Sequence, residues 1–391
     1  MGSGTSAESS KPARDDLAAV GLDPAQEDGS PALAGPLPIG VIGAAREQMS
    51  RIRSRSVEPP PALTAHAVEQ ALGFAVESCE LLHMTWNNRI YRVRPVQGPA
   101  SFAKQFWTLG EAALVREYEA LRSLCTLAIE GLSMPQPLGL VASHRSYLMA
   151  GALGRPIALL ALDPALEPAC KLAGAVLGRI HSNWTQSLEP LPAAALAQDL
   201  AAMPLGQSAA EGETIRAAVS RLAGECVAIG KTYSDFSPRN VFYADGAVSL
   251  IDPPEDSGQG LLLWDVATFC GGLRRAAWRS PAKWSPSRCR AVADRGQAAF
   301  LAGYASGYPG LYAKRTIPPG LLRLLELQRI GQLMTHRTQQ LRLMLGRDGG
   351  PFARRGRLLQ NLAKATLSLS SLAVQRRAAV RQIAHSLAAA E

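Results

Sequence analysis

Thr232-Tyr-Ser-Asp-Phe-Ser-Pro-Arg-Asn-Val-Phe-Tyr243, followed at once by Ala244-Asp-Gly-Ala-Val-Ser-Leu-Ile-Asp252, is the stretch whose reading decides the fold. Val241-Phe-Tyr and Val248-Ser-Leu-Ile are short β-branched and aromatic runs that predict two strands. Ala244-Asp-Gly-Ala makes the turn between them, and Asp245-Gly246 is a strong hairpin signal. Such a hairpin brings Asp252 back beside Asn240. Asp235, Asn240 and Asp252 then converge at one end of it, and three oxygen-bearing side chains suit a hard divalent cation such as Mg²⁺. Asp235 is left to orient a hydroxyl. Phosphoryl transfer needs these parts.

Working outward, 391 residues suffice for two lobes with a substantial core. A hydrophobic content of 47% against 19% charged residues marks a globular chain. No run of about 18 apolar residues occurs, so no membrane span is expected. The start, MGSGTSAESSKPARDD, lacks the basic and apolar blocks of a secretory signal. Cys79, Cys125, Cys170, Cys226, Cys270 and Cys289 form no C-x-x-C pair, which argues against a thiolate metal site or a disulfide framework. A reduced, cytoplasmic setting is expected.

The net charge is +9, and two blocks are purely or almost purely basic. Between Asp265 and Asp294 stand Arg274, Arg275, Arg279, Lys283, Arg288 and Arg290 without an acid; from Pro351 onward the only acid is Glu391. Such blocks are either solvated helix faces or surfaces for an anionic partner. The second block, on an amphipathic helix with Leu358, Leu362, Ala365, Leu367, Leu372 and Val374, allows a weak contact with an anionic surface. Aromatic residues do not interleave with its arginines, so nucleic acid is not an expected partner.

Residues 1–60, rich in Ala, Gly, Pro and Ser, read as a disordered tail with one short helix near Ala44–Arg53. A helix through Leu72 opens the folded part. From Ser78 to Trp107 the alternation is that of an antiparallel meander, and Lys104 lies in its third strand with Phe102 and Phe106 on its face. A helix from Glu111 follows, with Glu117 beside its apolar stripe, then strands at Leu138–Ala142 and Ser146–Met149. Met149-Ala-Gly-Ala-Leu-Gly154 reads as a hinge. Beyond it the chain is mainly helical, apart from the hairpin. The division expected is 1–60 tail, 61–150 N-lobe and 151–391 C-lobe.

Lysine on strand three, glutamate on the next helix, a hinge, Asp-x₄-Asn and a further Asp occur in that order. Ser234-Asp-Phe-Ser-Pro-Arg-Asn-Val, Leu250-Ile-Asp-Pro and Asp265-Val-Ala-x-Phe resemble the aminoglycoside phosphotransferase and choline kinase-like superfamily over about residues 65–310. The resemblance implies an α+β, protein kinase-like bilobal fold, with a small antiparallel-sheet N-lobe and a mainly helical C-lobe. It implies an ATP- and Mg²⁺-dependent kinase for a small-molecule hydroxyl. By the same likeness Asp235 accepts a hydrogen bond from that hydroxyl, and Asn240 and Asp252 are the Mg²⁺ ligands. Lys104, held by Glu117 in preference to Glu119, pairs with the α- and β-phosphates. Asn88 (or Asn87) steadies the phosphates, Met149 to Leu153, with Gly151, line the adenine side, and Asp265 anchors the catalytic loop.

The chain departs from the family pattern in three places. Tyr233 stands where a histidine is usual, Pro253-Pro254 follow the metal aspartate, and the nucleotide loop Met84–Arg89 has no glycine. The prolines leave no activation loop, which favours a constitutive small-molecule kinase. Tyr233 and the loop support the alternative of a catalytically silent scaffold. The basic block 274–290 falls where substrate helices are expected, so the acceptor is read as neutral or anionic: a sugar, nucleoside or glycan unit.

Overall fold

The computed structural model describes residues 60–84, 88–106, 110–202, 208–254, 259–279, 285–308, 317–345 and 355–388. The expected tail, its short helix and residues 85–87 of the nucleotide loop lie outside them, apart from Pro60.

The described chain opens with helix α1 (Ala65–Leu72). Thr64 accepts the Ala67 N–H at one end, and Gly73, at φ 74°, closes the other by donating to Glu69. Strands β1 (Val76–Met84), β2 (Asn88–Pro95) and β3 (Ser101–Phe106) form the expected meander, followed by α2 (Glu111–Cys125), β4 (Pro137–Val141) and β5 (Ser146–Ala150). The sheet order is β1-β2-β3-β5-β4, antiparallel throughout. Its period of two sorts the side chains: Val93, Ala103, Val141 and Leu148 bury against α1 with Val68. On the other face Phe106 and Tyr147 join Leu114, Leu121 and Leu124 of α2 in the main core. Lys104 stands directly opposite Tyr147 across the β3–β5 pair, and so shares the face that α2 covers.

The hinge passes into a two-residue strand, β6 (Arg155–Pro156), and then α3 (Leu166–Trp184), β7 (Thr185–Pro190), α4 (Ala193–Ala201), α5 (Ala209–Arg221) and β8 (Cys226–Lys231). The hairpin is β9 (Val241–Ala244) and β10 (Ala247–Leu250), joined by Asp245 and Gly246 at φ 45° and 77°. Two left-handed residues give the tight turn whose twist matches the strands. β6 pairs with β9, so the hinge is laced to the hairpin. After β11 (Gln259–Leu261) come α6 (Leu263–Arg279), α7 (Pro286–Gly307), α8 (Pro319–Leu345) and α9 (Arg355–Ala388). The small sheet β11-β8-β7 is absent from the sequence reading.

Helices α3 and α7 cross with their backbones touching. A Cβ on Gly174 or Gly178 would strike α7 carbonyls, and one on Gly303 or Gly307 would strike those of α3. Four glycines thus set the spacing of the pair. The helical half is a small sheet-trimmed bundle, the sheet half lies before it in the chain, and the architecture is the protein kinase-like bilobal fold.

Candidate active site

Lys104 is 3% exposed, and its ammonium finds two carboxylates. Nζ donates to Glu117 Oε1 at 2.6 Å and to Asp252 Oδ1 at 2.9 Å. Glu117, wholly buried, also accepts the Tyr147 hydroxyl at 2.7 Å. Burial alone would lower the lysine's pKa, but Asp252 and Glu117 more than offset it and hold the ammonium well above its ordinary value. Glu119, the competing acid, pairs instead with Arg122 on the helix surface.

The loop from Tyr233 to Asn240 is wound by its own backbone: the Asp235 N–H donates to the Tyr233 carbonyl, Ser237 to Asp235, and Asn240 to Ser237, at 2.7–2.9 Å. Ser234 at φ 67° and Asp252 at φ 56° hold left-handed conformations that cost a non-glycine residue energy, a recurrent feature of functional sites. Asn240 Nδ2 donates to the carbonyl and to Oδ2 of Asp235, at 3.2 and 3.1 Å. Its side-chain nitrogen is therefore engaged, and its side-chain oxygen Oδ1 is left for another partner. Ile251 N–H donates to the Asn240 carbonyl, so the hairpin does set Asp252 beside the loop.

Tyr233 is buried, and the missing histidine's place is not an empty one. Its N–H donates to Asp265 Oδ2 at 2.6 Å and its hydroxyl to the Ile251 carbonyl at 3.1 Å. His181 Nε2 meets the same Asp265 oxygen at 3.1 Å while Nδ1 meets the Tyr304 hydroxyl at 2.9 Å. His181 thus braces the aspartate that holds the Tyr233 N–H. Phe236 fills the space below, against Tyr233, Phe269 and Phe300.

Of the nucleotide-side residues, Asn88 opens β2 opposite Phe106, and Met149 is a buried residue of β5 paired with Phe102. Gly151 follows β5 where a side chain would press on the Phe102 ring. Among the described residues no three His, Cys, Asp or Glu side chains gather as a metal site. The candidate set is instead Asp252, half-exposed with one oxygen on Lys104, and the free amide oxygen of Asn240. Hard oxygen donors of this kind fit Mg²⁺, which keeps water or phosphate oxygens for the rest of its shell.

Two features depart from expectation. Arg274, in the basic block, is committed to neighbours: it pairs with Glu326 and Asp294 at 3.3 and 3.5 Å and bonds Gln297. That part of the block therefore offers no free charge to an acceptor. Besides Lys104, a cation that reaches the site is Arg329 of α8, whose Nη2 lies 2.8 Å from Asp235 Oδ1. Sequence reading passed over it, because α8 carries no motif. The available signal was three charged residues, Arg323, Glu326 and Arg329, inside the otherwise mostly apolar run Leu321–Ile330.

A family model described as the phosphotransferase enzyme family, APH, matches residues 78–315, which span every element of this site except α8. The chain belongs to that family. It is thus a phosphotransferase by descent. Among curated protein sequences no match was found. Among solved structures, a glucosamine kinase in complex with glucosamine, ADP and inorganic phosphate is 21% identical, covering 74% of this chain and 80% of that one, with a TM-score of 0.43. A thermostable mutant of aminoglycoside phosphotransferase APH(4)-Ia is 13% identical, covering 81% and 98%, at 0.49. Choline kinase LicA from Streptococcus pneumoniae is 14% identical, covering 83% and 99%, at 0.45. Likenesses this distant carry no weight for the acceptor.

Proposed function

We propose that this phosphotransferase moves the γ-phosphate of ATP to a hydroxyl of a small molecule. The observation that carries the reading is the buried Lys104–Glu117 pair joined to Asp252, next to the Asp235–Asn240 loop. Asp235 orients the acceptor hydroxyl and takes its proton as the acceptor oxygen bonds to phosphorus. The bond from phosphorus to the bridging oxygen breaks, and ADP leaves with that electron pair. Lys104, fixed by Glu117, holds the α- and β-phosphates; Asn88 steadies them, and Met149 and Gly151 border the adenine. Asn240 and Asp252 would hold Mg²⁺, which when bound neutralises charge on the phosphates.

The lobes of this reading are 61–150 for the nucleotide and 151–391 for catalysis and the acceptor, after a tail at 1–60. The acceptor is neutral or anionic rather than cationic. No helix of the described residues is long and apolar enough to cross a membrane, and all six cysteines are free, which supports placing the enzyme in the cytoplasm. Nucleic acid is no part of the reading. Among the described side chains of α9, Arg377 and Arg381 are exposed and support a weak anionic-surface contact, whereas Arg376 pairs with Glu211 at 2.9 Å. The silent-scaffold alternative loses one of its grounds, because Tyr233 makes the hydrogen bonds that hold the loop.

Thermal unfolding of the purified protein with and without Mg²⁺-ATP tests the nucleotide half of this reading. Stabilisation that vanishes on Asp252→Ala is the expected result; an unchanged melting temperature in the wild type opposes it.

A further inference from the structure

The phosphate and metal roles leave Arg329 unexplained. Its Nη2 donates to Asp235 Oδ1 at 2.8 Å, while Asn240 Nδ2 holds Asp235 Oδ2 at 3.1 Å. Both carboxylate oxygens thus carry a donor, and an incoming hydroxyl must use a remaining lone pair beside the guanidinium. The reacting oxygen would then lie next to a fixed positive charge.

That charge is held in place. The guanidinium carbon sits 5.8 Å from the Trp264 ring centroid, and Nη1 donates to Gln332 Oε1 at 3.3 Å. Leu324, Leu325, Leu327 and Ile330 bury the rest of this turn of α8. Two donors at the spot, Arg329 Nε and Gln332 Nε2, are shielded from water and find no acceptor among the described residues. Buried donors without partners are uncommon and call for an explanation. Among the described residues, Asp235 is the acid that bonds Arg329; Glu326, one turn earlier, is taken by Arg274 and Arg323. A planar guanidinium with a spare donor, next to an amide with a spare donor, suits an oxyanion.

Resting on the phosphotransferase reading above, we propose that Arg329 and Gln332 form an acceptor subsite. The acceptor carries an oxyanion, carboxylate or phosphate, close to the hydroxyl that receives the phosphoryl group. A polycation would meet Arg329 head-on and be excluded.

The test uses the full chain with Mg²⁺-ADP and four matched hexoses: glucuronate, glucose 6-phosphate, glucose and glucosamine. Melting temperature is read for each, and ADP release is read with Mg²⁺-ATP in place of Mg²⁺-ADP. At least one of the two anions raises the melting temperature above the neutral sugar, and glucosamine does not; which anion wins separates carboxylate from phosphate. Arg329→Gln abolishes that preference and raises KM for the favoured anion at least tenfold, whereas Arg329→Lys keeps part of the preference. Stabilisation of the variant by Mg²⁺-ATP shows that it is folded. Equal shifts for all four sugars, no shift with either anion, a preference for glucosamine, or an anion preference that survives Arg329→Gln overturns the proposal. If the wild type also fails to bind Mg²⁺-ATP, the phosphotransferase reading fails; if it binds Mg²⁺-ATP normally, only the anion subsite does.

Discussion

Lys104 is held by carboxylates from two distant parts of the chain, Glu117 on α2 and Asp252 after the hairpin. Removing one member of such a buried set strands the other. Lys104→Met should therefore cost about 3–5 kcal/mol of stability, since it takes the ammonium away from a wholly buried Glu117 carboxylate. The urea midpoint measures the loss, and ADP formation should fall with it; a fully stable variant would show that the pair contributes nothing. Tyr233 is a milder case. Tyr233→Phe deletes one hydrogen bond to Ile251, worth about 1 kcal/mol, and leaves the backbone tie to Asp265 intact. The expected result is a folded enzyme with a reduced kcat, and a kcat equal to wild type would make the hydroxyl dispensable. The hairpin pointed to Asp235, Asn240 and Asp252 lying together, and the family resemblance added Lys104 with Glu117; the structure brings Lys104, Glu117 and Asp252 into contact and Asn240 onto Asp235. Arg329 was not legible in the sequence, because a single arginine on a long helix has no local pattern to mark it.

Helices and strands differed in how plainly they could be read. The meander, α2 and the hairpin carry alternation, a 3.6-residue stripe or an Asp-Gly turn, and those signals are local. β7 is Thr185-Gln-Ser-Leu-Glu-Pro, a mostly exposed edge strand without alternation, and β8 follows directly from an Ala-rich helical stretch. Only their pairing in three dimensions makes them a sheet. The seam of α3 and α7 depends on glycines whose importance no helical propensity reveals. Gly303→Ala should gain helix propensity yet lose overall stability, by about 1–3 kcal/mol from overpacking against the Lys171 carbonyl. A raised melting temperature would contradict that. Glu326 of α8 gives an element-scale pH signature. Burial raises its pKa from 4.5, with Arg323 pulling the other way. The folded protein then binds that proton more tightly than the unfolded chain. Its stabilising contribution is full below 4.5 and declines as pH rises through the raised folded value. Glu326→Gln should accordingly gain on the wild type in urea midpoint between about pH 4 and about pH 7. A wild type that gains instead would mean the arginines dominate.

Across the molecule, the sheet half and the helical half meet through the site itself: Lys104 reaches Asp252, and the hinge pairs with the hairpin through β6. The resemblance in three short motifs was enough to anticipate this bilobal plan, because those motifs sit where the halves join. The thiols report on the same packing. Burial pushes the Cys170 thiol up to about 12 and the Cys270 thiol well above its ordinary value, and Cys289 is buried too. Cys226 is exposed, so it should react first with a thiol reagent in the native protein, and the buried three only on unfolding. The account as a whole stands on phosphoryl transfer from the loop at Asp235. Phosphorus NMR of Mg²⁺-ATP with a mixture of anionic and neutral hydroxyl compounds tests it most directly. The prediction is a new phosphate-ester resonance growing as ADP appears, lost without Mg²⁺ and lost in a folded Asp235→Asn variant. No ester from the wild type, or an undiminished yield from Asp235→Asn, would contradict it.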